Sequence, residues 1–235
     1  MKRVLMAAAA AAGLMMIAGA ANAQTVASLG DKGMDPASGK APKQLVVFFH
    51  GYTQSGDAMK VVADDLAKRL PDAAFVFNDG PLPVGNGHSW YVLRGADPDN
   101  TKAKSKTLAT DTVQKAMAGL KVKPENTVVV GFSQGGGVAF DGGSCQNPDV
   151  KAIVSLAGIL DTADCAKQGR AANVLIVRND NDPTVKIDMI TAFQDQLKKL
   201  GYDPKLEQVS GNTHWPAPEG IKKAEDFIVA QLGGK

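Results

Sequence analysis

The chain has 235 residues, of which 44% are hydrophobic and 21% charged. At about 100–200 residues per domain it fits one large domain or two small ones, and its balance excludes a disordered tail or a multi-span membrane protein. Its 26 Lys+Arg against 24 Asp+Glu give a net charge of only +2, with no basic stripe, which excludes a dedicated nucleic-acid binder; two cysteines are too few for a zinc cluster or a disulfide-dense scaffold.

The first element is Met1-Lys2-Arg3, followed by residues 4–21 with no charge, mostly Ala, and then Ala21-Asn22-Ala23. A basic start, an apolar run and small residues at an A-x-A site are the parts of a secretory signal peptide. The run approaches spanning length. It is Ala-rich and ends in a peptidase site, so cleavage near Ala23 is expected, leaving no stable membrane anchor. No Cys follows the site to carry a lipid. The expectation is export, periplasmic or secreted. In an oxidising compartment Cys145 and Cys165 are candidates to pair, closing a loop of about 20 residues for ~3 kcal/mol if their Cα atoms lie within reach.

Residues 24–43 are polar and aperiodic and are expected to form an extended lead-in. From residue 44 to the end, short apolar runs alternate with helical patterns. Strands are expected at 45–49, 73–77, 127–132, 152–156, 174–177 and 206–209. Helices are expected at 55–70, 101–120, 187–200 and 218–232, with a Gly- and Pro-rich loop over 78–100. The run at 45–49 is apolar throughout, as for a strand buried on both faces. This alternation predicts one three-layer α/β domain over 44–235, with a mostly parallel sheet and helices on both faces.

Gly131-Phe132-Ser133-Gln134-Gly135 fits G-x-S-x-G between an expected strand and an expected helix. A strand that turns sharply into a helix strains the Ser and lifts its hydroxyl to the strand's C-terminal end. Glycines two residues either side leave room for the fold, and the Gln134 N–H at the helix start faces the place where an oxyanion would form. A nucleophilic Ser needs an imidazole to take its proton. Only His50, His88 and His214 exist. His214 follows the last expected strand, as the order Ser, Asp, His requires. His50 reads as a loop-fixing residue and His88 as a surface one. For the acid, Asp180 and Asp182 both follow the strand at 174–177. Asp182 is preferred because Pro183 stiffens its loop, while Asp180 reads as a turn residue and Asp161 is a third candidate. His50-Gly51-Tyr52 ends the first strand and offers the Tyr52 N–H as a second oxyanion donor. Trp90, Tyr91 and Trp215 are candidate walls of a substrate pocket. No G-x-x-x-x-G-K-[ST] or G-x-G-x-x-G loop occurs in the places a nucleotide would need.

These residues carry a resemblance. Phe48-Phe49-His50-Gly51, Asn78-Asp79-Gly80-Pro81, Ser89-Trp90-Tyr91, the elbow through Gly136, Asp182-Pro183-Thr184-Val185 and a final His occur in the order found in α/β-hydrolases of the phospholipase/carboxylesterase family. That group includes acyl-protein thioesterases and bacterial carboxylesterases. The resemblance implies Ser133 as nucleophile, Asp182 as acid, His214 as base, and Tyr52 and Gln134 as backbone oxyanion donors, with no metal or organic cofactor. Two departures stand out. Relatives often carry His-Gly where this chain has Arg178-Asn179, and Gly before the base where it has Thr213.

The expected activity is therefore that of an exported serine hydrolase cleaving small-molecule or lipid carboxylic esters. Aryl or acetyl (feruloyl-type) esters, polyesters, thioesters and lysophospholipids remain open as substrates, and from another class a non-catalytic binding module on the same fold. Oligomeric state is not legible in the sequence.

Overall fold

The computed structural model describes residues 24–146, 148–159 and 172–234. The apolar run that begins the ordered alternation becomes β2 (Gln44–Phe49), whose last five residues are all buried. Around it assembles a seven-stranded sheet of β1 (Gly33–Met34), β3 (Ala73–Val76), β2, β6 (Thr127–Phe132), β7 (Ala152–Leu156), β8 (Asn173–Asn179) and β9 (Lys205–Val209), in that spatial order. Every pairing is parallel except that of β1 with β3.

Alternate residues of these strands feed two cores. Leu45, Val47, Phe49, Val129, Ile153 and Ile176 pack with apolar residues of α2 (Thr101–Leu120), α3 (Gln134–Ser144) and α4 (Ile187–Lys199). Val46, Phe48, Val128, Val130, Val154 and Val177 pack with α1 (Lys60–Arg69) and α5 (Pro218–Leu232) on the other face. Burial on both faces explains why the strands are continuously apolar. The three-layer expectation holds, and the strand order places the turns after β2, β6, β8 and β9 along one edge of the sheet.

Several local expectations change. The helix expected over 55–70 divides into a 3-10 turn, Gly56–Met59, and α1. Val61, expected on its apolar face, is exposed, and Met59 is buried instead. The lead-in is not simply extended. It holds a 3-10 turn at Ala27–Leu29, buries Val26, and supplies β1 as an antiparallel edge strand. The 78–100 loop contains a hairpin, β4 (Leu82–Val84) and β5 (Gly87–Ser89), joined by the two residues Gly85-Asn86. Such a short connection is a hairpin signal, hidden here because each strand has only three residues. β8 runs two residues beyond the expected end at 177, through Arg178 and Asn179, which pair with Gln208 and Val209. Polar residues continue the buried strand because their side chains are bonded inside the protein. Arg178 donates to Gln208 Oε1 at 2.8 Å and to the Val185 carbonyl at 3.3 Å, although its Nε has no partner among the described residues. Cys145, at the end of α3, is disulfide-bonded; Cys165 and the weaker acid candidate Asp161 lie outside the described residues, as do residues 1–23.

Candidate active site

The strand-to-helix turn between β6 and α3 puts Ser133 at φ 53° and ψ −119°, a backbone region that costs a non-glycine residue on the order of 1–3 kcal/mol. Its backbone is pinned on both sides: Ser133 N–H donates to the Leu156 carbonyl and its own carbonyl accepts from Gly136 N–H, each at 2.9 Å. The flanking glycines are required by space. A Cβ on Gly131 would lie 1.9 Å from the Gly135 carbonyl oxygen, and one on Gly135 would lie 2.1 Å from that of Phe49.

His214 Nε2 lies 2.7 Å from Ser133 Oγ, and its Nδ1 lies 2.9 Å from Asp182 Oδ2. The other carboxylate oxygen, Asp182 Oδ1, accepts the Thr184 and Val185 N–H groups at 2.7 and 3.0 Å. The Asp182 side chain is fully buried, whereas that of His214 keeps 21% exposure. A buried carboxylate on Nδ1–H leaves Nε2 free to accept the hydroxyl proton, so the arrangement suits proton removal from Ser133. The three sequence candidates, 81 and 32 positions from one another along the chain, thus meet in one hydrogen-bonded line. Asp180 takes the turn role expected of it. Its Oδ1 accepts from Asn181 and Gly211 N–H groups.

The first loop, after β2, is tied to its surroundings through His50. This imidazole is completely buried. Nδ1–H donates to the Gly51 carbonyl at 2.7 Å and Nε2 accepts the Gly80 N–H at 2.8 Å. Burial pushes its pKa below the ordinary 6.5, and the bond in which Nε2 accepts from Gly80 requires the neutral ring. His88 is half-buried rather than a free surface residue, with Nδ1 2.9 Å from the Gly80 carbonyl. Thr53 N–H and the Gln54 carbonyl bond the backbone of His88. Among the described residues, neither Tyr52 N–H nor Gln134 N–H finds an acceptor, which leaves both free for an oxyanion. The Tyr52 side chain is exposed.

Two residues do more than the sequence suggested. The Gln134 side chain is buried; its Oε1 accepts Trp90 N–H at 3.1 Å and its amide donates to the Tyr91 carbonyl at 3.0 Å. It fastens the 89–91 segment to the elbow. Asn179 does the same for the His214 loop. For the second the available signal was its departure from the family pattern, Arg178-Asn179 standing where relatives often carry His-Gly. For the first there was none, because the motif assigns Gln134 only a backbone task.

Each expected pocket wall also has a packing role. Trp90 is 2% exposed, stands edge-on to Phe49, and donates Nε1–H to the His50 carbonyl at 2.8 Å. It is a strut beneath the first loop, with one edge on a cavity of about 320 Å³ shared with Pro81, Leu82, Ser105 and Leu108. Tyr91 is also buried, with Lys102 over its ring. Trp215 packs edge-on against Phe132, which also touches the His214 ring. Its outer side borders a cleft with Val61, Pro216, Pro218 and Ile221. Among the described residues no group of three or more His, Cys, Asp or Glu could hold a metal ion.

The mostly parallel sheet, the helices on both faces and the Ser-bearing strand-to-helix turn define an α/β hydrolase. The family model of phospholipases and carboxylesterases matches residues 36–232, and the chain belongs to that family: it is a carboxylesterase/phospholipase-like serine hydrolase. It is similar to esterase YpfH of Escherichia coli strain K12, with 25% identity over 184 residues covering 74% of this chain and 77% of that protein. Acyl-protein thioesterase 1 of Saccharomyces cerevisiae is 26% identical over 214 residues, covering 81% and 93%. Among solved structures, esterase PE8 superposes with a TM-score of 0.76 at 25% identity, covering 86% of this chain and 98% of that one. The carboxylesterase of Mesorhizobium loti, at 16% identity and a TM-score of 0.69 over 82% and 91% of the two chains, shares the fold.

Proposed function

We propose that the chain is an exported esterase that cleaves carboxylic esters through an acyl-enzyme on Ser133. The observation that carries this reading is the line Ser133 Oγ to His214 Nε2 to His214 Nδ1 to Asp182, at 2.7 and 2.9 Å.

The Ser133 oxygen attacks the ester carbonyl carbon while its proton passes to His214 Nε2. The carbonyl oxygen becomes an oxyanion and takes the Tyr52 and Gln134 N–H groups. Collapse of this intermediate breaks the bond to the leaving alcohol, which receives the proton from His214. Water then repeats the sequence on the acyl-enzyme, giving its proton to His214, and the carboxylic acid departs as Ser133 recovers its hydroxyl. Asp182 holds Nδ1–H and stabilises the transient imidazolium.

Ser133→Ala is expected to reduce turnover of a p-nitrophenyl ester by more than about 1,000-fold while the circular dichroism spectrum is retained. A fluorophosphonate should label the parent chain on Ser133 and fail to label Ser133→Ala. Full activity in that variant would remove Ser133 from the mechanism. The yeast relative's name, acyl-protein thioesterase, favours thioesters as a second substrate class. Comparing oxyester and thioester kcat/KM with a matched acyl chain separates the two. Export rests on the N-terminal pattern of residues 1–23.

A further inference from the structure

The last residue of β8, Asn179, sits completely buried beneath the loop that carries His214. Its amide nitrogen donates to the Thr213 carbonyl at 2.8 Å and to the Trp215 carbonyl at 2.9 Å, with Thr213 Oγ1 also at 3.2 Å. Its Oδ1 accepts Ala217 N–H at 2.9 Å. The two carbonyls belong to the residues immediately before and after His214. Thr213 Oγ1 closes the ring by donating to the Trp215 carbonyl at 2.8 Å.

The loop is also anchored by packing: Pro216 is buried and Trp215 packs against the core. Asn212 and Thr213 are exposed, and Phe132 contacts both Trp215 and the His214 ring. The loop's backbone has also been shaped around the amide. A Cβ on Gly211 would lie 2.6 Å from Asn179 Cγ and 2.7 Å from Oδ1. Gly211 is in turn fixed by Asp180 Oδ1 on its N–H and by Asn181 N–H on its carbonyl. One buried side chain therefore bonds the peptides on both sides of His214, in the segment that aims Nε2 at Ser133.

We propose that Asn179 is a positioning residue for the base, holding the peptides on either side of His214 so that the imidazole keeps its bonds to Asp182 and Ser133. The inference rests on His214 being the base. An amide is suited to this place because it both donates and accepts. A carboxylate of the same shape would face the same carbonyls with no proton to give.

The test measures kcat and KM on a p-nitrophenyl ester, the melting temperature, and the downfield proton NMR resonance of His214 Nδ1–H in Asn179→Ala, Asn179→Asp and Gly211→Ala. The Gly211 variant keeps every hydrogen-bonding group but drives a methyl into the amide, so it serves where removal of Asn179 prevents folding. Expected is a fall in kcat of about 10- to 100-fold, the scale of a misplacement near 1 Å. KM should change by less than about threefold, since substrate contacts remain, and the resonance should broaden or disappear. Asn179→Asp should be the most affected. Unchanged kcat and an unchanged resonance in folded variants, with only the melting temperature lowered, would overturn the proposal and leave Asn179 a purely structural residue. Ser133→Ala and His214→Ala are run beside them. If either of those keeps full turnover, the reading of the site itself fails; if both are inactive while the Asn179 and Gly211 variants turn over normally, only the positioning role fails.

Discussion

Ser133, His214 and Asp182 were legible as separate residues because each sits in a chemically telling local pattern. Glycines two positions either side marked the strained Ser, and the strand-end position marked the acid and base. Asn179 was legible only as a departure from the family pattern, since what it does depends on residues more than thirty positions away. His50 lies between these cases. Its place before Gly51 suggested a loop-fixing role, and the buried ring does join the Gly51 and Gly80 backbones. Because burial lowers its pKa in the fold, the unfolded chain binds a proton first as pH falls below 6.5. The unfolded state is then favoured, so the contribution of His50 to stability is present above that pH and drains away below it. Thermal melts between about pH 5 and 8 are expected to show a steeper acid-side decline in the parent than in His50→Gln, which has no titrating group there. Parallel declines would show that His50 takes no part.

At the scale of elements, α2, β6, β7 and α5 have the bounds read from periodicity. In each, one apolar stripe or one continuous apolar run matches the burial that the sheet imposes. The misread elements are those whose stabilisation comes from elsewhere. β1 exists because its two residues pair with Met34 opposite Phe75 and Gly33 opposite Val76, and β4 and β5 because the His88 backbone meets Gln54. α5 carries one local conflict. Glu225 is largely buried, and among the described residues its Oε1 has no hydrogen-bond partner. Burial, with Asp65 adding to it, raises its pKa above the ordinary 4.5. The folded chain then holds its proton more tightly than the unfolded one. Its ionisation therefore costs stability as pH rises past 4.5. Glu225→Gln should stabilise the protein at pH 7–8 by on the order of 1 kcal/mol, roughly 2–4 °C in melting temperature for this size. The gain should vanish at about pH 4, where both states are protonated. A variant that melts lower at neutral pH would show that the carboxylate is satisfied in solution.

The whole molecule joins a hydrolase domain to an N-terminal segment of a different character. Lys2 and Arg3 are the only charges in residues 1–23, so removing that segment leaves 24 basic and 24 acidic residues and no net charge. The slight basicity of the full chain belongs to the proposed export signal, and the enzyme domain has no overall electrostatic pull towards anionic surfaces. Expression in a bacterial host followed by intact-mass measurement of periplasmic and medium fractions should find a chain beginning at Gln24. Exported material that retains residues 1–23 would refute cleavage, and material confined to the cytoplasm would refute export.

The amino-acid sequence by itself determined what local physics can write: the apolar strands, the amphipathic helices, the elbow glycines, and the chemical types of nucleophile, acid and base. These follow from side-chain periodicity and backbone sterics over a few residues. Tertiary structure alone decided which candidates meet. It gave Trp90 a strut's bonds as well as an edge on a cavity, turned Gln134 and Asn179 into fasteners, and kept His50 neutral. Those outcomes depend on distances between segments far apart in the chain and on burial, which no short window of sequence contains.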